Sequence, residues 1–201
     1  MKKFAQLLSA SIYVLSTSCG AQTLPEGLFS IGKFELGKAT ISDVQTYFGP
    51  SELRPLELGD GPDKGVCYSN GTTASSPTIV FETGALGGWK EITAYRLTKR
   101  HKRKCEPTAI SIAELLTGNG LHLLSDRRAA TKALNTPPSK SPITTRVEQV
   151  YQRKATHEEV IRIRKAYPDA THFAFDVVDT IEVRFKNNVV NDLYVKRLVS
   201  Y

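Results

Sequence analysis

Residues 36–50 read Leu-Gly-Lys-Ala-Thr-Ile-Ser-Asp-Val-Gln-Thr-Tyr-Phe-Gly-Pro, which predicts a strand end, a short helix and an abrupt stop. Thr40 and Asp43 have the spacing of a capping box, in which the two side chains satisfy free backbone amides at the start of a helix. One face of that helix carries Ile41, Val44 and Phe48. Gly49-Pro50 then ends it. The run therefore predicts a compact unit built around one amphipathic helix.

Residues 123–137 repeat this order of features over an equal length. Gly120 to Leu123 reads as a short strand, Asp126 can cap the helix that follows, and Leu134 completes its apolar face before Asn135-Thr136-Pro137-Pro138 ends it. An internal repeat explains both stretches. We therefore expect an α+β fold of two tandem units, each a short helix packed on an antiparallel sheet, at residues 34–106 and 107–201.

Alternating apolar and polar residues predict the strands of these units. In the first unit they lie at 66–69, 78–83 and 91–98. In the second, a strand at 145–153 precedes a capped basic helix from Thr156 to Tyr167, and Pro168 ends that helix. Further strands are expected at 171–178, 180–186 and 189–198, the last two joined by an Asn187-Asn188 turn.

The first 21 residues have the three parts of a secretory signal. Lys2 and Lys3 form a basic start, a short apolar run follows, and the segment ends in small residues up to Ala21. The apolar run is shorter than the roughly 20 residues that a permanent membrane helix needs. We therefore expect export, with a signal peptide at 1–21 and a linker at 22–33.

The processing of this signal has two interpretations. Cleavage after Ala21 fits, because small residues stand at the specificity positions. Cys19 could instead be the lipid-modified first residue of a lipoprotein, although Ser16 stands where a lipobox usually has leucine. The predicted location is the periplasm or an envelope membrane to which the protein is lipid-anchored.

Two of the three cysteines remain once Cys19 is assigned to the signal. Cys67 and Cys105 then form an even pair in an oxidising compartment, and this predicts a disulfide. Two unpaired buried thiols are the alternative. A metal site would need more ligands at closer spacing, so we expect neither a metal nor a cofactor.

Much of the positive charge lies in a run from Lys99 to Lys104, which we call the basic run. The chain has a formal net charge of +7, and the basic run contributes Lys99, Arg100, Lys102, Arg103 and Lys104 together with His101. Such a block can dock on anionic lipid, on nucleic acid or on an acidic protein, and an exported protein rarely meets nucleic acid. A solvated loop without a ligand is the alternative.

Trp89 is a second candidate for binding. It is the only tryptophan and follows the glycine-rich residues 84–88. An exposed tryptophan often anchors an interface, whereas a tryptophan folded back over the sheet would be structural. Both interpretations stay open at this point.

The pattern of Gly37, Thr40, Val44, Phe48, Gly49 and Pro50 followed by antiparallel strands resembles the SmpA/OmlA-like (BamE-type) envelope lipoproteins and the related beta-lactamase-inhibitor-protein-like fold. That resemblance implies helices packed on an antiparallel sheet, two such units in two-copy members, and a role as an assembly factor or protein-binding module. The second stretch departs from the pattern at Leu124 and Asn135, where the family favours glycine.

No motif for catalysis stands out. His157-Glu158-Glu159 lacks the second histidine of a zinc-protease helix, and neither a nucleophile elbow nor a phosphate-binding glycine loop occurs. Asp176 and Asp179 have a spacing better explained by a strand edge and a bend than by paired carboxylate catalysis. We expect a non-enzymatic protein that binds an envelope protein or an anionic envelope surface; an inhibitor or immunity protein for an acidic partner is the alternative.

Overall fold

The computed structural model describes residues 24–56, 63–73, 75–84, 90–99, 104–136, 146–166, 168 and 174–200. These residues form an α+β structure, as expected. The helices are α1 (Ile41–Phe48), α2 (Arg127–Ala133) and α3 (His157–Ala166), with 3₁₀ turns at Glu26–Phe29 and Ile112–Glu114. The strands are β1 (Ser30–Ile31), β2 (Phe34–Glu35), β3 (Arg54–Pro55), β4 (Lys64–Ser69), β5 (Thr78–Thr83), β6 (Ala94–Thr98), β7 (Glu106–Pro107), β8 (Arg146–Lys154), β9 (Asp176–Lys186) and β10 (Val189–Ser200).

Helix α1 begins at the predicted capping box. The Asp43 amide donates to Thr40 Oγ1 at 3.2 Å, and the Thr40 amide donates to Asp43 Oδ2 at 2.8 Å. The helix ends at Gly49, whose φ of 108° is a conformation that glycine adopts without strain. Phe48 is buried and stacks on Tyr68 of β4 with ring centroids 5.0 Å apart. The apolar face of α1 is therefore held on the sheet.

Backbone hydrogen bonds attach the start of α1 to the segment that leads into β6. The Gly37 amide donates to Ile92 O at 2.8 Å, and the Ile92 amide donates to Ala39 O at 2.9 Å. The Ile41 amide donates to Lys90 O at 2.8 Å. The Ile41 amide is one of the first amides of the helix, which have no acceptor inside it.

The start of α2 makes a similar set of bonds to the turn before β10 and to the beginning of β10. The Leu124 amide donates to Val190 O at 2.9 Å, and the Val190 amide donates to Ser125 O at 2.8 Å. The Arg127 amide donates to Asn188 O at 3.0 Å. The start of α1 is thus attached to the residues before β6, and the start of α2 is attached to the residues at the beginning of β10.

The turns before the two helices also agree in conformation. Gly37 has a φ of 75° and Leu124 has a φ of 71°, and each lies in the turn before its helix. Leu124 is strained in this region, because a side chain on a left-handed residue crowds the backbone. Leu36 and Leu123, which precede them, are both buried.

One continuous sheet crosses the boundary that we expected between two units. Its strand order is β3-β4-β5-β6-β10-β9-β8, with β7 pairing parallel to β4. At its centre β6 pairs antiparallel with β10, where Leu97 lies opposite Leu193. The two predicted sheets are therefore joined, because the free edges of β6 and β10 satisfy each other's backbone groups.

Alternate residues of the strands face the helices and form the core. One row across the sheet consists of Val66, Phe81, Tyr95, Val195 and Ile181, which are all buried. Leu28 and Phe29, in the stretch expected as a linker, are buried in the same core. The Tyr95 hydroxyl donates to Leu28 O at 2.6 Å. This part of the predicted linker is therefore an integral piece of the fold.

Two strand predictions need correction. We expected two strands, at 171–178 and 180–186. Residues 176–186 instead form one continuous strand, β9. Asp179, the expected bend, is buried within it and accepts hydrogen bonds from Arg197 at 2.8 and 3.2 Å. Residues 120–123 are not a strand but link two turns, which are closed by bonds from the Gly120 amide to Thr117 O at 2.8 Å and from the Ser125 amide to His122 O at 3.2 Å.

The predicted Asn187-Asn188 turn joins β9 to β10. Both asparagines have positive φ, 51° and 64°, which is the conformation of the two-residue turn that matches the twist of a hairpin. Lys186 lies opposite Val189 across it. The predicted hairpin is confirmed.

Candidate functional site

The helices lie on one face of the sheet, and the other face is the candidate site. Helices α1 and α2 contribute to the core, and α3 is joined to the same face through Glu159 and Arg153. We call the opposite side the open face. Its middle row runs across six strands through Cys67, Val80, Arg96, Tyr194, Glu182 and Glu148.

An ion pair stands at the centre of the open face. Arg96 on β6 donates from Nε and Nη2 to Oδ1 and Oδ2 of Asp192 on β10, at 2.9 and 2.7 Å. The side chains are 19% and 4% exposed, so solvent screens the pair only in part. A bidentate arginine-carboxylate pair fixes both side chains. It therefore ties together the two strands that join the halves of the sheet.

A buried carboxylate lies beside this pair. The Tyr194 hydroxyl donates to Glu82 Oε2 at 3.1 Å. Burial raises the pKa of Glu82, and nearby Lys196 opposes the rise. Burial also raises the pKa of Tyr194. Lys196 itself donates to Asp63 Oδ2 at 2.8 Å, so the cluster is internally paired.

The half of the open face near β8 is more exposed. Arg146 donates to Glu182 Oε2 at 3.0 Å and also pairs with Glu148 at 3.0 Å. Arg184 pairs with the same Glu182. Because Arg146 and Arg184 are about half exposed, we expect each of these surface pairs to contribute less than about 1 kcal/mol to stability.

Apolar side chains reach solvent on this part of the face. Val150 on β8 is 62% exposed and Leu198 on β10 is 38% exposed. Val178 of β9 lies directly opposite Leu198 and is half-buried. Val150 lies opposite Thr180, one row away. We call Val150, Val178 and Leu198 the apolar patch.

The predicted disulfide joins β4 to the residue before β7. Cys67 and Cys105 are bonded, with Cα atoms 4.9 Å apart. This bond fixes the chain directly after the basic run to the edge of the sheet. At the other end of the run, the Lys99 amide donates to Asn191 O at 3.2 Å.

Most of the other predicted binding residues lie outside the described residues. These are Trp89, Arg100, Lys102 and Arg103, together with Cys19 of the signal. Of the basic run, the structure describes Lys99 and Lys104, and Lys104 is exposed. The structure therefore shows where Lys99 and Lys104 lie. The binding role predicted for the basic run stays a proposal.

A cavity of about 530 Å³ lies beside the disulfide. Leu56, Cys67 and Val80 provide its apolar lining, and Lys104 and Glu106 are among its charged residues. Such a volume is within the range of small-molecule sites.

The described residues do not assemble a group typical of catalysis. Asp176 is on the open face, where it pairs with Lys154 at 2.7 Å, whereas Asp179 is on the core face with Arg197. His122, expected in a strand, lies in a turn, and its Nδ1 is 2.9 Å from Ser125 Oγ. Within the described ranges there is no group of three or more metal-ligating side chains. No helix among them has the length and apolar character needed to cross a membrane.

Comparisons of the chain with models of protein families, with curated proteins and with solved structures find no match.

The ion pair at the centre of the open face was not predicted from the sequence. Alternation along β9 did indicate that Glu182 and Arg184 point away from the core. Arg96 and Asp192, however, are 96 residues apart in the chain. Only the pairing of β6 with β10 brings them together, and no local pattern predicts that pairing.

Proposed function

We propose that this chain is an exported, non-enzymatic protein of the bacterial envelope, and that it binds another envelope protein through the open face. The observation that carries the proposal is the division of the sheet into a face packed on helices and a face that presents ion pairs and an apolar patch. Interfaces commonly combine an apolar centre with a polar rim.

The arrangement of charges favours a protein partner over a small substrate. Arg96 pairs with Asp192, Tyr194 with Glu82 and Lys196 with Asp63, so these groups are internally paired and are not a set of free reactive groups. A patch of exposed apolar side chains beside such paired groups is typical of a docking surface.

The envelope location rests on two observations. The first is the signal-like segment at 1–21. The second is the bond between Cys67 and Cys105, because disulfides persist in oxidising compartments. A lipid at Cys19 would place the same domain on an envelope membrane.

We also propose that the two halves, 34–106 and 107–201, are copies of one unit and that the chain is related to the BamE-type proteins it resembles. The matched hydrogen bonds at the starts of α1 and α2 support this proposal. So does the strand order, in which β4-β5-β6 from one half meets β10-β9-β8 from the other.

A photo-crosslinking experiment in the bacterium tests the proposed role. A photoreactive residue replaces Leu198 on the open face or, as the control, Arg128, which is exposed on α2. We expect Leu198 to give an adduct with another protein in the envelope fraction and Arg128 to give none. The intact mass of the unreacted protein distinguishes lipid-modified Cys19 from cleavage after Ala21.

Equal adducts at both positions, or adducts found only in the cytoplasm, would contradict the proposal. Adducts whose mass equals two copies of this chain are scored separately, because they report self-association. Replacing Arg184 by Glu should weaken the Leu198 adduct, since a partner that spans the open face also meets Arg184, which lies opposite Asp192.

An inhibitor or immunity role for an acidic partner is favoured by one observation. The described residues at either end of the basic run are fixed to the sheet: Lys99 bonds to Asn191, and Cys105, directly after Lys104, bonds to Cys67. If this role is correct, a crosslinker at Lys104 should capture the partner more strongly than one at Leu198.

A further inference from the structure

The two edges of the sheet differ in protection. At one edge β4 is paired by β3 at Lys64 and Gly65 and by β7 at Tyr68 and Ser69, and the disulfide lies between these pairs. At the other edge β8 runs for nine residues, and no strand among the described residues pairs with its outer side. A long unpaired edge is a template for adding another strand.

The ladder between β8 and β9 shows which backbone groups of β8 face outward. The Ala155 amide donates to Phe175 O at 2.9 Å. Hydrogen-bonding direction alternates along an antiparallel strand, so Arg153, Tyr151 and the residues two apart from them bond to β9. Glu148, Val150, Gln152 and Lys154 therefore direct their amides and carbonyls outward. Their side chains are the ones on the open face.

We propose that β8 pairs antiparallel with β8 of a second copy of this chain, about a two-fold axis at Tyr151. In this register Glu148 lies opposite Lys154 of the second copy, and Val150 lies opposite its Gln152. Each pairing occurs twice because a two-fold contact uses the same patch on both copies. The outward amides and carbonyls of Val150 and Gln152 then bond across the interface.

Charge complementarity favours this register over the one with the axis at Val150. Moving the axis to Val150 places Arg146 opposite Lys154 of the second copy, and like charges directly opposite each other are unfavourable. With the axis at Tyr151, the opposed charged residues are instead acidic and basic.

Two buried polar atoms without partners lie on β8. Gln149 is 8% exposed and its Oε1 has no hydrogen-bond partner among the described residues, and the same is true of the Tyr151 hydroxyl. Buried polar groups usually have partners. Both atoms are enclosed within one copy, on the core face, so the proposed contact does not depend on them.

The pairing has a consequence for the open face. Because the axis is perpendicular to the sheet, both open faces lie on the same side, and the sheet runs without a break from one copy to the other. Val150 is covered by the second strand, whereas Leu198 stays accessible. The inference is independent of the proposed envelope partner.

Sedimentation of the disulfide-bonded protein over a wide concentration range is the first test. We expect a reversible equilibrium between one and two copies. A single copy at all concentrations would overturn the proposal.

Two variants at Gln152 test whether β8 is the contact. Proline at 152 removes an outward amide and leaves the bonds to β9 intact, since edge strands accept proline at such positions. We expect Gln152→Pro to abolish the dimer and Gln152→Ala to keep it, with the same circular dichroism for both. A dimer that survives in Gln152→Pro would overturn the proposal.

A charge exchange tests the register. Glu148→Lys and Lys154→Glu should each weaken the dimer by about tenfold or more, because each places like charges opposite each other. The double variant should regain most of the loss. Failure of the double variant to recover, with the folded content unchanged, would overturn the pairing about Tyr151.

Discussion

At the scale of single residues, Glu159 shows how one carboxylate can connect a strand to a helix. It accepts hydrogen bonds from Arg153 Nη1 and Nη2, both at 2.7 Å, and from the Thr156 amide at 2.8 Å. The bonds from Arg153 hold the pKa of Glu159 at about 2. Since the pKa in the unfolded chain is about 4.3, folding favours the ionised form.

A pH dependence of stability follows for Glu159→Gln. Above about pH 4.5 the wild-type protein should be more stable by about 2 kcal/mol, a value reduced for solvent screening because Arg153 is 30% exposed. The difference should shrink as the pH falls from about 4.5 to 2, because the unfolded chain then takes up a proton on Glu159 that the folded protein does not bind until about pH 2. Urea denaturation at several pH values measures it.

The control for this experiment is Glu158→Gln at the exposed neighbouring position. It should change the free energy of unfolding by less than about 0.5 kcal/mol at every pH. A difference between wild type and Glu159→Gln that stays constant from pH 7 to about pH 2 would contradict the assigned cause.

At the scale of elements, the turns before α1 and α2 predict that a substitution in one turn raises the stability of the protein and a substitution in the other lowers it. Leu124 and Gly37 both have left-handed φ, but only Leu124 carries a side chain there, and Leu124 is about half exposed. Leu124→Gly should stabilise the protein by about 0.5 kcal/mol, the strain relieved minus the added flexibility of the unfolded chain.

Gly37→Ala should destabilise the protein by about 1 kcal/mol. The new Cβ would meet Arg162 Nη1 at 3.8 Å, an ordinary contact, so the cost comes from the backbone conformation. Denaturant titration of both variants checks the pair. A loss of stability in both would show that the two turns are not equivalent.

The elements that could be predicted are those with local signals. The capping boxes at Thr40 and Thr156 locate α1 and α3, because their partners are three residues away. The single strand β9 was divided because Asp179 looked like a bend. The buried carboxylate of Asp179 is stabilised by its ion pair with Arg197, 18 residues away in the chain. A short stretch of sequence around Asp179 does not include that partner.

At the scale of the whole molecule, the disulfide should stabilise both halves together. Cys67 and Cys105 are 38 residues apart, which gives at most about 4 kcal/mol in the chain-entropy model. Because one sheet and one core cluster extend through the chain, we expect Cys67→Ser/Cys105→Ser to unfold in one transition at a lower denaturant concentration.

Hydrogen exchange distinguishes this outcome from a local effect. Amides of β9, in the second half, should lose protection in the double variant along with those of β5. Loss confined to β4 and β7 would show that the halves are energetically separate. Wild-type protein under reducing conditions should behave like the double variant.

The joined sheet itself was beyond sequence prediction. Each half showed its own strands and helix, and these were sufficient for the α+β class. Neither half shows that β6 lies next to β10, since the signal for such pairing is spread over residues that are distant in the chain. The open face was therefore found only with the sheet assembled.

The central position of β10 also constrains the order of events during folding. β10 follows every other described strand along the chain, yet it lies between β6 and β9. Contacts between such distant segments form slowly, because a long loop must close first. The sheet cannot be completed until Val189–Ser200 has been synthesised, so the export that we propose would act on a chain whose sheet is still incomplete.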